Sequence, residues 1–271
     1  MLDAKNKVIV ITGASAGLGR ALAMEAGHRK ARVVLLARGK TELEKVRKLI
    51  IESGGEALVL PTDMTKPPDV ALSFAEIESR WSRVDILFNV AGVVEPVKRL
   101  VNAGDDEIVQ SLMINVLGVY IGSREAVKIM QKQLSGGTII NITSGAAKRV
   151  YVGWSLYGSQ KAAVDHFTRV VAEELKETPI RIAALSPGPF DSHMQKVMRG
   201  TDISDFPVKD RFVELHRSGK LATPEQLAPM ILDIALTDWP ELSGRVEDIR
   251  DGDFQRLCFQ NGVLIPDSIR K

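Results

Sequence analysis

Apolar positions fall into two alternating kinds of run. Short β-branched runs, apolar throughout, read as strands buried on both faces. Between them lie longer stretches with apolar residues three and four apart, the period of helices with one buried face. Val8 to Thr12 is the first strand, followed by the turn Gly13-Ala14-Ser15-Ala16-Gly17-Leu18-Gly19 and a helix from Arg20 to Arg29. Arg32 to Ala37 is the second strand, and Lys40 to Ser53 an amphipathic helix stopped by Gly54-Gly55. Ala57 to Leu60 is the third strand, with Asp63 just beyond it, and Pro67-Pro68 opens a helix through Arg83. Val84 to Val90 is the fourth strand and leads to Ala91-Gly92, after which a long helical region from about Asp105 to Gln133 contains Asn115. Thr138 to Thr143 is the fifth strand; it delivers Ser144, and the next helix carries Tyr157 and Lys161 to about Glu177. Ile180 to Leu185 is the sixth strand, broken by Pro187-Gly188-Pro189. A polar, irregular stretch then runs to Lys220. Thr223-Pro224-Glu225-Gln226 reads as a capping box that starts a helix to about Thr237. Gly244 to Ile249 is the seventh strand, and the tail from Gly252 has no clear period.

Strands alternating with helices imply an α/β fold: a single-domain, Rossmann-like, doubly wound parallel sheet of about seven strands with helices on both faces. No repeat, linker or low-complexity segment divides residues 1–271. Ligands in such sheets bind at the carboxyl ends of the strands. The glycine turn, Arg38, Asp63, Asn89, Ser144 and Pro187 all follow strands, so the topology gathers them on one edge.

Composition changes this picture little. The 271 residues are 45% apolar and 26% charged, enough for one large core. A net charge of +2 with mixed signs gives no basic field for nucleic acid. One cysteine, Cys258, excludes an intramolecular disulfide and a cysteine-based metal site, and the four histidines have no ligand spacing. No metal is expected. No apolar run reaches membrane length, and the N-terminus lacks a signal-peptide plan, so a cytoplasmic location is expected.

Three features carry candidate chemistry. Strand, glycine turn and helix in succession let backbone N–H groups and a helix N-terminus approach a pyrophosphate, although glycines also simply close turns. The second strand ends in Ala37-Arg38, with no acid to grip a ribose 2′-OH; the guanidinium suits a 2′-phosphate, hence NADP(H), unless it is only a solvated strand end. Tyr157 and Lys161 stand four residues apart and share a helix face. A neighbouring ammonium is expected to lower the phenol pKa toward working pH, and Ser144 can hold a carbonyl oxygen for that Tyr. The plain alternative is a tyrosine packed on a lysine stem.

Together these residues resemble the single-domain short-chain dehydrogenase/reductase family over about residues 5 to 250. Thr12-Gly13-x-x-x-Gly17-x-Gly19 is similar to its cofactor motif, Asp63 to its adenine-contacting acid, and Asn89-Val90-Ala91-Gly92 to its Asn-Asn-Ala-Gly motif except at Val90. Asn115, Ser144, Tyr157 and Lys161 match its catalytic tetrad, and Pro187-Gly188 the turn beside the nicotinamide. The resemblance implies an NADP-dependent enzyme that moves hydride between the cofactor and a small-molecule carbonyl. The implied cofactor contacts include Ser15, Ala16, Leu18, Met64 and Ser192, and a homodimer or homotetramer is expected. Asn115 would hold a water linking Lys161 to solvent. Segments at Glu95-Pro96-Val97-Lys98, Gly153 to Gly158 and Pro187 to Lys196 look like sepiapterin and benzil reductases. That likeness makes Asp248 a candidate pterin anchor. The stretch 190–220 is expected to be a substrate lid, with Trp154, Phe190 and Met194 lining an apolar pocket. An alcohol dehydrogenase for another substrate class and a non-catalytic NADP-binding sensor remain open at this point.

Overall fold

The computed structural model describes residues 2–266 and 269. Its strands are β1 (Val8–Thr12), β2 (Arg32–Ala37), β3 (Glu56–Pro61), β4 (Ile86–Asn89), β5 (Gly137–Ile142), β6 (Ile180–Ser186) and β7 (Val246–Asp248). Side chains of alternate parity on each strand go to opposite faces. Ile9, Ile11, Val33, Leu35, Phe88 and Ile140 enter one core layer. Val8, Val10, Val34, Leu36, Leu87 and Ile139 enter the other. Both faces are covered, which is why the strands read as unbroken apolar runs. Each fully buried Val, Leu or Ile contributes about 1.5–3 kcal/mol.

The first helices are α1 (Gly17–His28), α2 (Lys40–Glu52), α3 (Pro67–Trp81), α4 (Asp105–Leu112), α5 (Gly118–Met130) and α6 (Ser155–Glu174). They are followed by α7 (His193–Gly200), α8 (Lys209–Arg217), α9 (Pro224–Leu236) and α10 (Gly252–Gln260). Residues of α1, α2, α9 and α10 fill the first layer, and those of α3, α5 and α6 the second. The sheet is parallel throughout, in the order β3-β2-β1-β4-β5-β6-β7. The order reverses between β1 and β4, where such sheets open a crevice. Register sets the depth of that crevice: Thr12 lies opposite Asn89, Asn89 opposite Asn141, and Asn141 opposite Ala184. That row is the last of β1 and β4, and β5 and β6 run one and two residues further before their loops begin.

Three stretches differ from the sequence expectation. The helical region from Asp105 is interrupted by a π-helical turn, Met113–Leu117. It centres on Asn115, which has no exposed surface. Its amide donates to Val93 O (2.8 Å) and Gln160 Oε1 (2.7 Å), while its Oδ1 accepts from Val93 N (2.9 Å). A buried amide must find partners, and the wider turn aims it across to them. The stretch to Lys220, expected to be irregular, holds α7 and α8. Each buries few residues, Gln195 and Met198 from α7 and Phe212 from α8, too few to leave a readable period. In the tail, Asp251 caps α10 by accepting from Asp253 N and Phe254 N. Residues 267, 268, 270 and 271 of that tail, and residue 1, lie outside the described residues.

Among the described residues no helix is long and apolar enough to cross a membrane.

Candidate active site

The loops beyond that row enclose a cleft of about 960 Å³. Thr12 ties its floor together: its Oγ1 accepts from Val90 N (3.0 Å) and Ala91 N (3.1 Å). Glycine is required twice in the turn. Gly13 has φ +69°, and a Cβ there would come within 3.0 Å of the Ala91 backbone. A Cβ on Gly19 would stand 2.3 Å from Gly13 O. Helix α1 begins here without a side-chain cap, because Ala16 has no oxygen to offer. Its first N–H groups therefore lack a capping side chain, and the turn residues Ser15, Ala16, Gly17, Leu18 and Gly19 line the cleft. Arg38, Asp63 and Met64 continue this end of the cleft. Burial would raise the Asp63 carboxyl, but hydrogen bonds from Thr65 outweigh it, helped by the Lys66 and Arg38 charges, and hold it below its ordinary value.

Ala91, Gly92, Ser144, Tyr157, Lys161 and the Pro187-Gly188 turn line the middle. Tyr157 and Lys161 are one turn apart on α6 and buried. Burial pushes the Tyr157 phenol above its ordinary value, and its hydrogen bond with Ser144 pulls it down. The expected lowering of Tyr157 by Lys161 is not found. The ammonium lies 5.9 Å from the ring centroid and donates to Ile142 O at 2.8 Å. Burial instead lowers Lys161 itself to about 8, with Asp165 opposing. Asp165 is in turn raised by burial, against Thr143 and the charges of Arg169, Lys148 and Lys161.

The far end is aromatic. Trp154 stacks on Phe206 (5.1 Å between centroids) and meets Tyr157, Tyr151 and Phe212 at 5.5, 4.9 and 5.5 Å. Met194 lines the cleft against this cluster, as do Tyr151, Met198 and Phe212, which sequence reasoning missed, while Ser192 and Phe190, the latter packed on the first core layer, line it too. The missed anchors lie in loops and short helices without period. Their only signal was a local density of aromatic residues.

Three expected site residues are not among the cleft-lining ones. Asn89 is buried and donates to Ser123 Oγ (3.0 Å) and Asn141 Oδ1 (2.9 Å), joining α5, β4 and β5. Asn115 is likewise enclosed behind Gly92. A Cβ on Gly92 would lie 3.1 Å from Asn115 Oδ1 and 3.6 Å from Lys161 Nζ, so the glycine keeps open the space between them. Asp248, expected to face the substrate, is paired instead. Its carboxylate is gripped by Arg250, Nε to Oδ1 at 2.9 Å and a terminal nitrogen to Oδ2 at 2.6 Å, and it is Arg250 that lines the cleft.

Comparison with known proteins agrees with this layout. A profile of the short chain dehydrogenase family matches residues 7–202. The chain is 33% identical to benzil reductase ((S)-benzoin forming) of Bacillus subtilis, over 90% of this chain and 99% of that one. Levodione reductase superposes with a TM-score of 0.82 at 25% identity, covering 96% of this chain and 99% of that one. An actinorhodin polyketide ketoreductase variant solved with NADPH superposes with a TM-score of 0.80 at 25% identity, covering 92% and 97%. The chain belongs to the short-chain dehydrogenase family. It is an oxidoreductase of the C=O/CH–OH type, in a family that binds a nicotinamide cofactor. The uncapped α1 N-terminus and a turn that tolerates no added Cβ at Gly13 or Gly19 fit a dinucleotide pyrophosphate.

Proposed function

We propose that the protein is an NADPH-dependent carbonyl reductase of aromatic ketones or dicarbonyls, benzil-like in class, with Tyr157 as its proton donor. One observation carries this reading: the Ser144, Tyr157 and Lys161 group shares its cleft with the aromatic cluster around Trp154. The glycine turn would hold the pyrophosphate, Asp63 and Met64 the adenine, and Arg38 the 2′-phosphate. Ala91, Gly92, Pro187, Gly188 and Ser192 would border the nicotinamide half. When bound, the reduced nicotinamide supplies hydride to the carbonyl carbon.

The chain's own groups then handle charge and protons. Ser144 donates to the carbonyl oxygen where negative charge develops. Tyr157, a phenol that burial raises above its ordinary value, gives its proton to that oxygen. Lys161 stabilises the phenolate left behind. The space kept open by Gly92, between Lys161 and Asn115, suits a water that returns the proton. Arg38 at the end of β2, with no acid beside it on that strand, supports NADP over NAD; the NADPH-bound ketoreductase neighbour is consistent with it. Asp248 is held by Arg250, which favours a benzil-like over a pterin-like substrate.

The test is NADPH oxidation, followed by absorbance, with a ketone and dicarbonyl panel that includes benzil and sepiapterin. Benzil turnover faster with NADPH than with NADH is expected. Tight NADPH binding with no turnover across the panel would replace the enzyme by a cofactor-binding sensor.

A further inference from the structure

Among the described residues the cleft is lined by Arg38, Arg149, Arg211, Arg250 and Lys161, against two carboxylates, Asp63 and Glu95. Most of these charges already have company. Arg38 lies at the glycine-turn end, close enough to Asp63 to help hold its pKa down. Arg250 is paired with Asp248, and Lys161 sits beside Asp165. Glu95 stands 4.0 Å from His193 across the cleft mouth. Arg149 and Arg211 are different: among the described residues neither meets a carboxylate at ion-pair distance, and neither is among the charges that shift Asp63 or Asp165. They come from separate elements, the loop after β5 and helix α8. Each is next to the aromatic cluster, Arg149 two residues before Tyr151 and Arg211 beside Phe212. The aromatic end of the cleft thus carries two exposed guanidinium groups with no ion-pair partner among the described residues.

Building on the reading of this cleft as a carbonyl reductase site, we propose that its substrate is an aromatic ketone bearing an anionic group. The anion is a carboxylate, sulfate or phosphate ester at the end away from the carbonyl, received by Arg149 and Arg211. The aromatic wall packs the ring, and the planar guanidinium forks match an oxyanion geometrically. An exposed ion pair alone is worth little. Two donors over an apolar wall, with the ring already immobilised, orient the substrate at lower entropic cost.

The experiment compares benzil with its 4-carboxylate. At low salt the carboxylate is expected to show kcat/KM higher by about tenfold, mostly through KM, the worth of one charge-assisted hydrogen bond. That ratio is expected to shrink with added salt and to fall toward one in the double variant Arg149→Gln/Arg211→Gln. Because the ratio is taken within each protein, a general loss in the variant cancels. A ratio of one or below in the unaltered protein overturns the inference, as does a high ratio that survives in the double variant. Calorimetric binding of biphenyl-4-carboxylate against biphenyl-4-carboxamide, with NADP⁺ present, reads the same preference without turnover. If neither diketone is reduced, the proposed function fails while the arginines are still judged: preference for the carboxylate, lost in the double variant, sustains the anion site, and equal binding ends it.

Discussion

Tyr157 shares one cleft with Ser144 and Lys161. Trp154 and Val94 beside it are 8% and 1% exposed, and this enclosure raises the phenol. A phenol that stays protonated is suited to giving a proton, the reductive role. Tyr157→Phe is expected to lower kcat for benzil by about 10²–10⁴ while NADPH affinity, read by fluorescence titration, stays near normal. Near-normal turnover would remove Tyr157 from the chemistry. Arg38 makes a second residue-scale test. Arg38→Ala is expected to weaken use of NADPH by about 1–3 kcal/mol in KM and to leave NADH nearly unaffected. Equal losses with both cofactors would reduce Arg38 to a solvated strand end. The spacing of Ser144, Tyr157 and Lys161 was legible in the sequence, whereas the direction of the Tyr157 shift and the pairing of Asp248 with Arg250 were not, because burial and rotamers belong to the packed site.

At the scale of elements, strands and long helices were legible because their apolar periods repeat, whereas α7 and α8 were not. The joining segment is anchored by Phe206, with no exposed surface, against Trp154 and Phe212. Arg99 Nε donates to Ser204 O (2.8 Å) and Asn102 Nδ2 to Asp205 Oδ1 (3.0 Å). Gly153, at φ +89°, admits Asp205 O to within 2.3 Å of where a Cβ would be. These contacts tie residues 204–212 to the segment at 99–102 and to the Gly153-Trp154 turn. Helix α7 also borders the cleft, through Met194, Gln195 and Met198, and follows on the Pro187-Gly188 turn. NADPH is therefore expected to slow tryptic cleavage at Lys196 and Arg199 and to change little at Lys209 and Arg217. Uniform protection of the whole stretch, or none, would contradict this division. Phe206→Ala is expected to cost about 3–5 kcal/mol of local packing. It should raise KM for benzil and speed cleavage throughout 192–220, with NADPH affinity less affected. An unchanged KM would mean that the aromatic cluster is scaffolding only.

The whole molecule pays a stability penalty for its site. A parallel sheet covered on both faces leaves one dry place for chemistry, the strand ends at the β1/β4 reversal, and Lys161 is buried there at 4% exposure. Burial lowers Lys161 from 10.5 to about 8. Below pH 8 folded and unfolded chains both hold this proton, and the fold bears the full cost of desolvating the ammonium. Between about 8 and 10.5 the unfolded chain binds more protons, so this group's contribution to stability rises with pH through that window. Replacing Lys161 by Met removes the charge but keeps the stem's bulk, at the loss of the donor to Ile142 O, about 1 kcal/mol. At pH 7 Lys161→Met is nonetheless expected to be more stable than the unaltered protein, by the order of 1–2 kcal/mol, and inactive as a reductase. The two denaturation midpoints should converge as the pH approaches 10, where the native lysine has lost its proton. A variant that is no more stable at pH 7, or whose margin is the same at pH 10, would show that Asp165 and the Ile142 carbonyl already offset the buried charge. The site would then cost the fold nothing.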